Sequence, residues 1–169
     1  MALQFTTSYL EDSLTLFRAY KNLAERAMEQ VSDEQLFIAL DEESNSIAII
    51  VKHMAGNMRS RWTDFLTTDG EKPQRNRDGE FVDDFKSRAD LMAFWERGWS
   101  CALSAIESLT PSDMQKTVTI RSEANSVPLA IVRQLAHYST HVGQIVYIAK
   151  QRRGVEWKTL SIPKNRAYR

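Results

Sequence analysis

Hydrophobic positions recur at helical spacing through most of the chain. Over 8–30, Leu10, Leu14, Phe17, Leu23, Ala24, Ala27 and Met28 return at steps near three and four with charges between them, which predicts an amphipathic first helix. Ser32 and Gln35 have capping-box spacing ahead of the apolar Leu36-Phe37-Ile38 and predict a short helical turn before the acidic loop Asp41-Glu42-Glu43. A second long helix is predicted from Ser44 or Ser46 through Ile47, Ile50, Val51, Met54, Met58, Trp62 and Phe65. Over 67–83 the periodicity stops, and a stretch rich in glycine, proline, asparagine and charge predicts a long loop. A third helix follows from Asp84 or Ser87, burying Leu91, Phe94, Trp95, Ala102, Ile106 and Leu109 and closed by Thr110-Pro111. Alternation from Lys116 to Arg121 marks a short extended piece. The fourth helix is expected to start with Ser126 as N-cap, tolerate Pro128 in its first turn, and run to about Arg152 before Gly154 stops it. The remainder, through Trp157, Leu160 and Pro163, reads as a tail laid on the surface.

Four long amphipathic helices and little else imply an all-α fold, a helical bundle in a single domain over 1–169. The chain has 169 residues, 43% of them hydrophobic and 26% charged, the proportions of an ordinary soluble domain. No apolar run is long enough to span a bilayer, and the first residues carry neither a basic flank nor an apolar core, so the expected location is the cytoplasm. A solitary Cys101 excludes an internal disulfide and cysteine-rich zinc binding. On the third helix it reads as a small packing residue. Basic and acidic side chains balance at 22 each, which argues against nucleic acid or an anionic membrane as partner. Lys150, Arg152, Arg153, Lys158, Lys164, Arg166 and Arg169 concentrate positive charge late in the chain, as a solvated helix end and tail would.

The histidines carry the candidate chemistry. The chain has three, His53, His137 and His141, and the last two stand four residues apart in His137-Tyr138-Ser139-Thr140-His141. On a helix that spacing puts two imidazoles on one face, able to grip one metal ion. They extend the inward stripe of Ala130, Gln134, Ile145 and Ile148, and His53 lies near the inward side of its own helix. Hydrogen-bonded core imidazoles are the plain alternative, but three convergent nitrogens would make a site with open positions, as in catalytic metal centres. Such a donor set suits a divalent transition ion, zinc, nickel, iron, cobalt, manganese or copper, better than magnesium or calcium. The residue after His137 is Tyr138, so the metalloprotease motif with its glutamate base is absent. Asn57, Arg61, Asp64, Tyr138 and Gln144 are the polar residues closest to the histidines by helical spacing and are the candidates for touching substrate or orienting a ligand. Arg61 with Asp64, three apart, has the duller reading of a surface ion pair.

One histidine in the second long helix together with His137-Tyr138-Ser139-Thr140-His141-Val142-Gly143-Gln144-Ile145 resembles the DinB-like superfamily, also called YfiT-like metal-dependent hydrolases. His53-Met54-Ala55-Gly56-Asn57-Met58, the run from Ser60 to Lys72 and the closing Leu160-Ser161-Ile162-Pro163 are similar to a bacterial subgroup without assigned function. The resemblance covers essentially the whole chain. It implies an up-down-down-up four-helix bundle, a divalent ion held by His53, His137 and His141, and a homodimer. Relatives include enzymes that use a low-molecular-weight thiol, such as bacillithiol or mycothiol, in transferase or isomerase reactions. Two classes of function follow as expectations: a metal-dependent thiol S-transferase or hydrolase acting on a small molecule, and a non-catalytic metal- or ligand-binding dimer serving a stress response.

Overall fold

Among the described residues, serine opens every α-helix. In the computed structural model, which describes residues 3–162, the α-helices are α1 (Tyr9–Met28), α2 (Asp33–Phe37), α3 (Ile47–Trp62), α4 (Arg88–Glu107) and α5 (Val127–Arg153). Their N-caps are Ser8, Ser32, Ser46, Ser87 and Ser126, each accepting a backbone N–H of the first turn on its hydroxyl oxygen. A cap of this kind is worth about 1 kcal/mol, so these serines set where each helix begins. At Ser32 the capping box is complete, with Gln35 reaching back to the cap nitrogen. Gly154, at φ +55°, ends α5, a conformation glycine adopts at little cost.

The protein is mostly helical. Helix α3 packs along α4 and α1 along α5, and the two pairs meet through α3 with α5 and α1 with α4. Between them lies one core that includes Phe17, Met54, Met58, Trp62, Trp95, Trp99, Tyr138, Val142 and Ile145. At its centre Phe17 meets the rings of Trp62, Trp99 and Tyr138 edge to face, with centroids 5.9 to 6.5 Å apart. Three of these aromatics carry polar atoms; the indole nitrogen of Trp99 has no partner among the described residues, and the other two are joined in a relay. Trp62 Nε1 donates to the Tyr138 hydroxyl (3.0 Å), which donates to Asn57 Oδ1 (3.1 Å), joining α3 to α5 inside the core.

Three features depart from the sequence pattern. Helix α3 ends at Trp62 instead of running through Phe65. The Thr63 hydroxyl donates to the Arg59 carbonyl at 2.6 Å, Thr63 turns extended, and Asp64 takes a left-handed φ of +48°. Phe65 is nevertheless buried, its ring 4.7 Å from that of Trp62, so the apolar signal was real although its helical reading was not. The extended piece is one strand of a hairpin, β1 (Thr117–Ile120) paired antiparallel with β2 (Glu123–Ser126) through a two-residue turn at Arg121 and Ser122, both at positive φ. Asp69 clamps that turn, its carboxylate accepting from the backbone nitrogens of Arg121 (2.9 Å) and Ser122 (2.8 Å). Finally, the loop before α4 contains a 3-10 turn, Asp78–Phe81, which proves to matter for the site.

After α5, Trp157 and Leu160 pack against the core, and Gln30 exchanges two hydrogen bonds with the backbone of Lys158. Of the late cations, Arg152 donates to the carbonyls of Ile38 and Ala39 and Arg153 pairs with Glu156, while Lys164, Arg166 and Arg169, like Pro163 of the tail, lie outside the described residues. No helix among the described residues is long and apolar enough to cross a membrane.

The relay through Tyr138 makes a direct demand on stability. In a Tyr138→Phe variant the buried Trp62 N–H loses its acceptor, which costs roughly 1–3 kcal/mol. Thermal or denaturant unfolding is expected to register that loss, and an unchanged midpoint would refute the relay.

Candidate functional site

Helices α3 and α5 bring the three histidines together. His53 Nε2 lies 3.2 Å from His137 Nε2, and His141 Nε2 lies 3.0 Å from the same atom. One ligand atom from each ring can be chosen so that all lie within 4.8 Å of one another. The four-residue step on α5 supplies two of the rings, and the packing of α3 on α5 supplies the third.

The opposite nitrogens decide what these atoms can do. His53 Nδ1 is 3.0 Å from Glu80 Oε2 and His141 Nδ1 is 2.8 Å from Gln144 Oε1. A carboxylate and an amide oxygen only accept, so each Nδ1 carries a proton, and in the neutral form of each ring Nε2 is the nitrogen with the bare lone pair. Both lone pairs point at His137 Nε2. Burial pushes the His137 pKa down to about 3, helped by the two neighbouring imidazoles and by Arg75 and Arg61. Burial lowers that of His141 as well, against the opposing hydrogen bond of Gln144. Near neutral pH, His137 and His141 are therefore neutral donors.

Glu80 is held by more than the imidazole. Arg75 grips it with two hydrogen bonds, Nε to Oε1 (2.7 Å) and Nη2 to Oε2 (2.8 Å), and reaches Glu71 with its remaining nitrogen (3.1 Å). Burial raises the Glu80 pKa, but the bonds from Arg75 and His53 outweigh it and the carboxyl sits below its ordinary value. Phe81, next along the 3-10 turn, stacks on the His53 ring at 5.3 Å with 29° between planes. The turn approaches α3 this closely because residue 56 is glycine. A Cβ there would run into the Glu80 carboxylate, with Cδ only 2.8 Å away.

A cavity of about 330 Å³ opens beside the triad, lined by His53, Asn57, Arg61, Gln134 and His137 among others. A larger one of about 460 Å³, on the other flank of Glu80, touches none of the three histidines; Lys52, Arg59, Lys72 and Phe94 are on its wall. The smaller cavity is the one with chemistry beside it.

The five polar candidates divide. Gln144 bonds His141, Asn57 lines the cavity beside His53, and Arg61, almost wholly buried, lines it too. Tyr138 does not face the cavity; it is fully buried in the aromatic core and acts on the site only through its bond to Asn57. Asp64 is excluded from the site as well, because the left-handed turn that ends α3 carries it to the exposed surface, and it forms no ion pair with Arg61. Glu80 and Phe81 were missed, since a loop residue that reaches back 27 positions to a histidine leaves no periodic trace. Gly56 was the one available signal, a glycine in the middle of a helix where it costs stability unless something must come close. Cys101 is half-buried, its sulfur 3.5 Å from the Thr63 hydroxyl and apart from the histidines.

Comparison with curated proteins gives no match. A family model does match, over residues 4–166, and its description is "Protein of unknown function (DUF1572)". That span takes in all five α-helices, the hairpin and each of the three histidines. The chain therefore belongs to the DUF1572 family.

Proposed function

We propose that this protein is a divalent-metal-dependent enzyme of the DinB-like superfamily, acting on a small molecule as a thiol S-transferase or a hydrolase. The observation that carries the reading is the meeting of three Nε2 atoms, two of them stripped of their protons by Glu80 and Gln144. One proton on His137 Nε2 can serve one of its two neighbours; a cation serves all three lone pairs at once. The spacing also fits. With metal–nitrogen bonds of about 2.0–2.1 Å, adjacent ligand nitrogens stand about 2.9 Å apart in an octahedral site and about 3.4 Å apart in a tetrahedral one. The two separations from His137 Nε2, 3.0 and 3.2 Å, agree with that range, and the whole set of ligand atoms lies within 4.8 Å. Nitrogen donors favour zinc, nickel, iron, cobalt, manganese or copper. The pairing of α1 with α5 and α3 with α4 is compatible with the up-down-down-up bundle of that superfamily.

The chemistry a bound ion supplies is Lewis acidity, which lowers the pKa of a coordinated water or thiol near neutral pH. The residues of the chain do the rest. Glu80 and Gln144 fix the two rings in the tautomer that leaves Nε2 free, and Arg75 fixes Glu80. Asn57, steadied by Tyr138, and Arg61 stand on the cavity wall where a substrate would lie against the triad.

Elemental analysis of the purified chain is expected to return about one transition ion per molecule, and His137→Ala to abolish it. Retention of a full complement by that variant contradicts the assignment. Turnover of electrophiles with a panel of cellular thiols, and hydrolysis of simple esters and amides, should depend on the ion and stop with chelator. Metal bound without turnover anywhere in that panel favours the non-catalytic binding protein. A separate expectation concerns the glycine: Gly56→Ala displaces Glu80 from His53 and weakens metal affinity by roughly 10–100-fold, as loss of a ligand-orienting partner does. Unchanged affinity in competition with a chromogenic chelator would show that Glu80 does not act through His53.

A further inference from the structure

We propose that the cavity beside the histidines is an anion subsite, and that the substrate is an acidic small molecule, either a phosphate monoester or a dicarboxylate. The proposal takes its place next to the triad from the functional reading above, but its evidence is the charge and the unmet hydrogen bonding of the cavity wall.

Five guanidiniums line this cavity: Arg61 from α3, Arg75 and Arg77 from the loop, Arg121 from the hairpin turn and Arg133 from α5. Arg75 is committed to Glu80 and Glu71, and Arg121 shares Glu71 with it at 3.1 Å. Arg133 donates to the neutral oxygen of Asn125 at 2.7 Å, and Arg77 has no ion pair among the described residues. Arg61 is the telling one. Its side chain is 6% exposed, its nearest acid is Glu71 at 3.7 Å, and its Nε and Nη1 have no hydrogen-bond partner among the described residues. A buried guanidinium with idle donors is costly unless an acceptor arrives, and planar guanidiniums match carboxylate and phosphate oxygens.

The charge balance sets the sign of that acceptor. Glu123 on the wall and Glu71, Glu80 and Asp69 behind it are outnumbered by the five arginines, which leaves the wall positive. An anion offsets it. The excess is local, because acids and bases are equal over the chain, and a volume of about 330 Å³ admits a small molecule. A polymer such as nucleic acid would need a basic surface instead. Arg121 is held in position before any ligand comes, since Asp69 accepts from its backbone nitrogen and fixes the turn that carries it.

The test titrates the full chain calorimetrically with inorganic phosphate and, separately, with succinate, at constant ionic strength balanced by chloride. Saturable binding of either probe is expected; preference for phosphate points to the ester and preference for succinate to the dicarboxylate. Arg77 and Arg121 are exposed, so the double variant R77Q/R121Q should keep its helical circular dichroism while its affinity falls about tenfold or more. No saturable binding of both probes, or equal affinity in the double variant, overturns the subsite. Metal content measured on the same samples keeps the two readings apart: anion binding without metal sinks the triad assignment alone, and metal without anion binding sinks the subsite alone.

Discussion

Everything at the site depends on where two protons sit. Glu80 and Gln144 can only accept at the atoms they offer, so the protons of His53 and His141 are drawn to Nδ1 and their lone pairs are turned toward His137. The rest of the local structure serves that outcome. Arg75 and Glu71 anchor Glu80, Gly56 leaves it room against α3, and Phe81 steadies the ring it orients. Without those partners the same three histidines would be a set of interchangeable tautomers, and their proximity alone would mean little.

The larger structure was legible in the sequence to the extent that it is periodic. The serine caps, the apolar stripes of α1, α3, α4 and α5 and the stop at Gly154 are local signals, and each helix begins where its serine stands. The spacing of His137 and His141 was readable for the same reason. Non-local pairings were not readable. Strand β2 is Glu-Ala-Asn-Ser, a polar run with no strand preference, paired because β1 precedes it across a two-residue turn. Glu80 looked like one more charge in a loop, and Asp64 looked like a site residue until the turn after Trp62 carried it to the surface. Tyr138 follows His137 directly and precedes His141 by three in sequence, yet a helix turns about 100° per residue, and that rotation sends its side chain into the core.

Two kinds of electrostatics meet around the cavity. On one side neutral imidazoles offer lone pairs that favour a cation; on the other, arginines outnumber the carboxylates that could pair with them. The two are joined through Arg75, which holds Glu80 for His53 and faces the cavity as well. The loop between α3 and α4 thus supplies both the carboxylate that orients His53 and part of the positive wall, which accounts physically for a long, charged, irregular segment in an otherwise helical protein. The hairpin completes the enclosure from the other side, tied down through Asp69 and through Gly70, whose backbone nitrogen donates to Thr119 at 2.8 Å.

The most direct test of this account is X-ray absorption spectroscopy of the ion-loaded protein. Three imidazole nitrogens at about 2.0–2.1 Å, with the multiple-scattering signature of histidine rings, are the expected first shell. A shell of oxygen atoms, or one containing fewer than three imidazoles, would contradict the claim that His53, His137 and His141 share one centre.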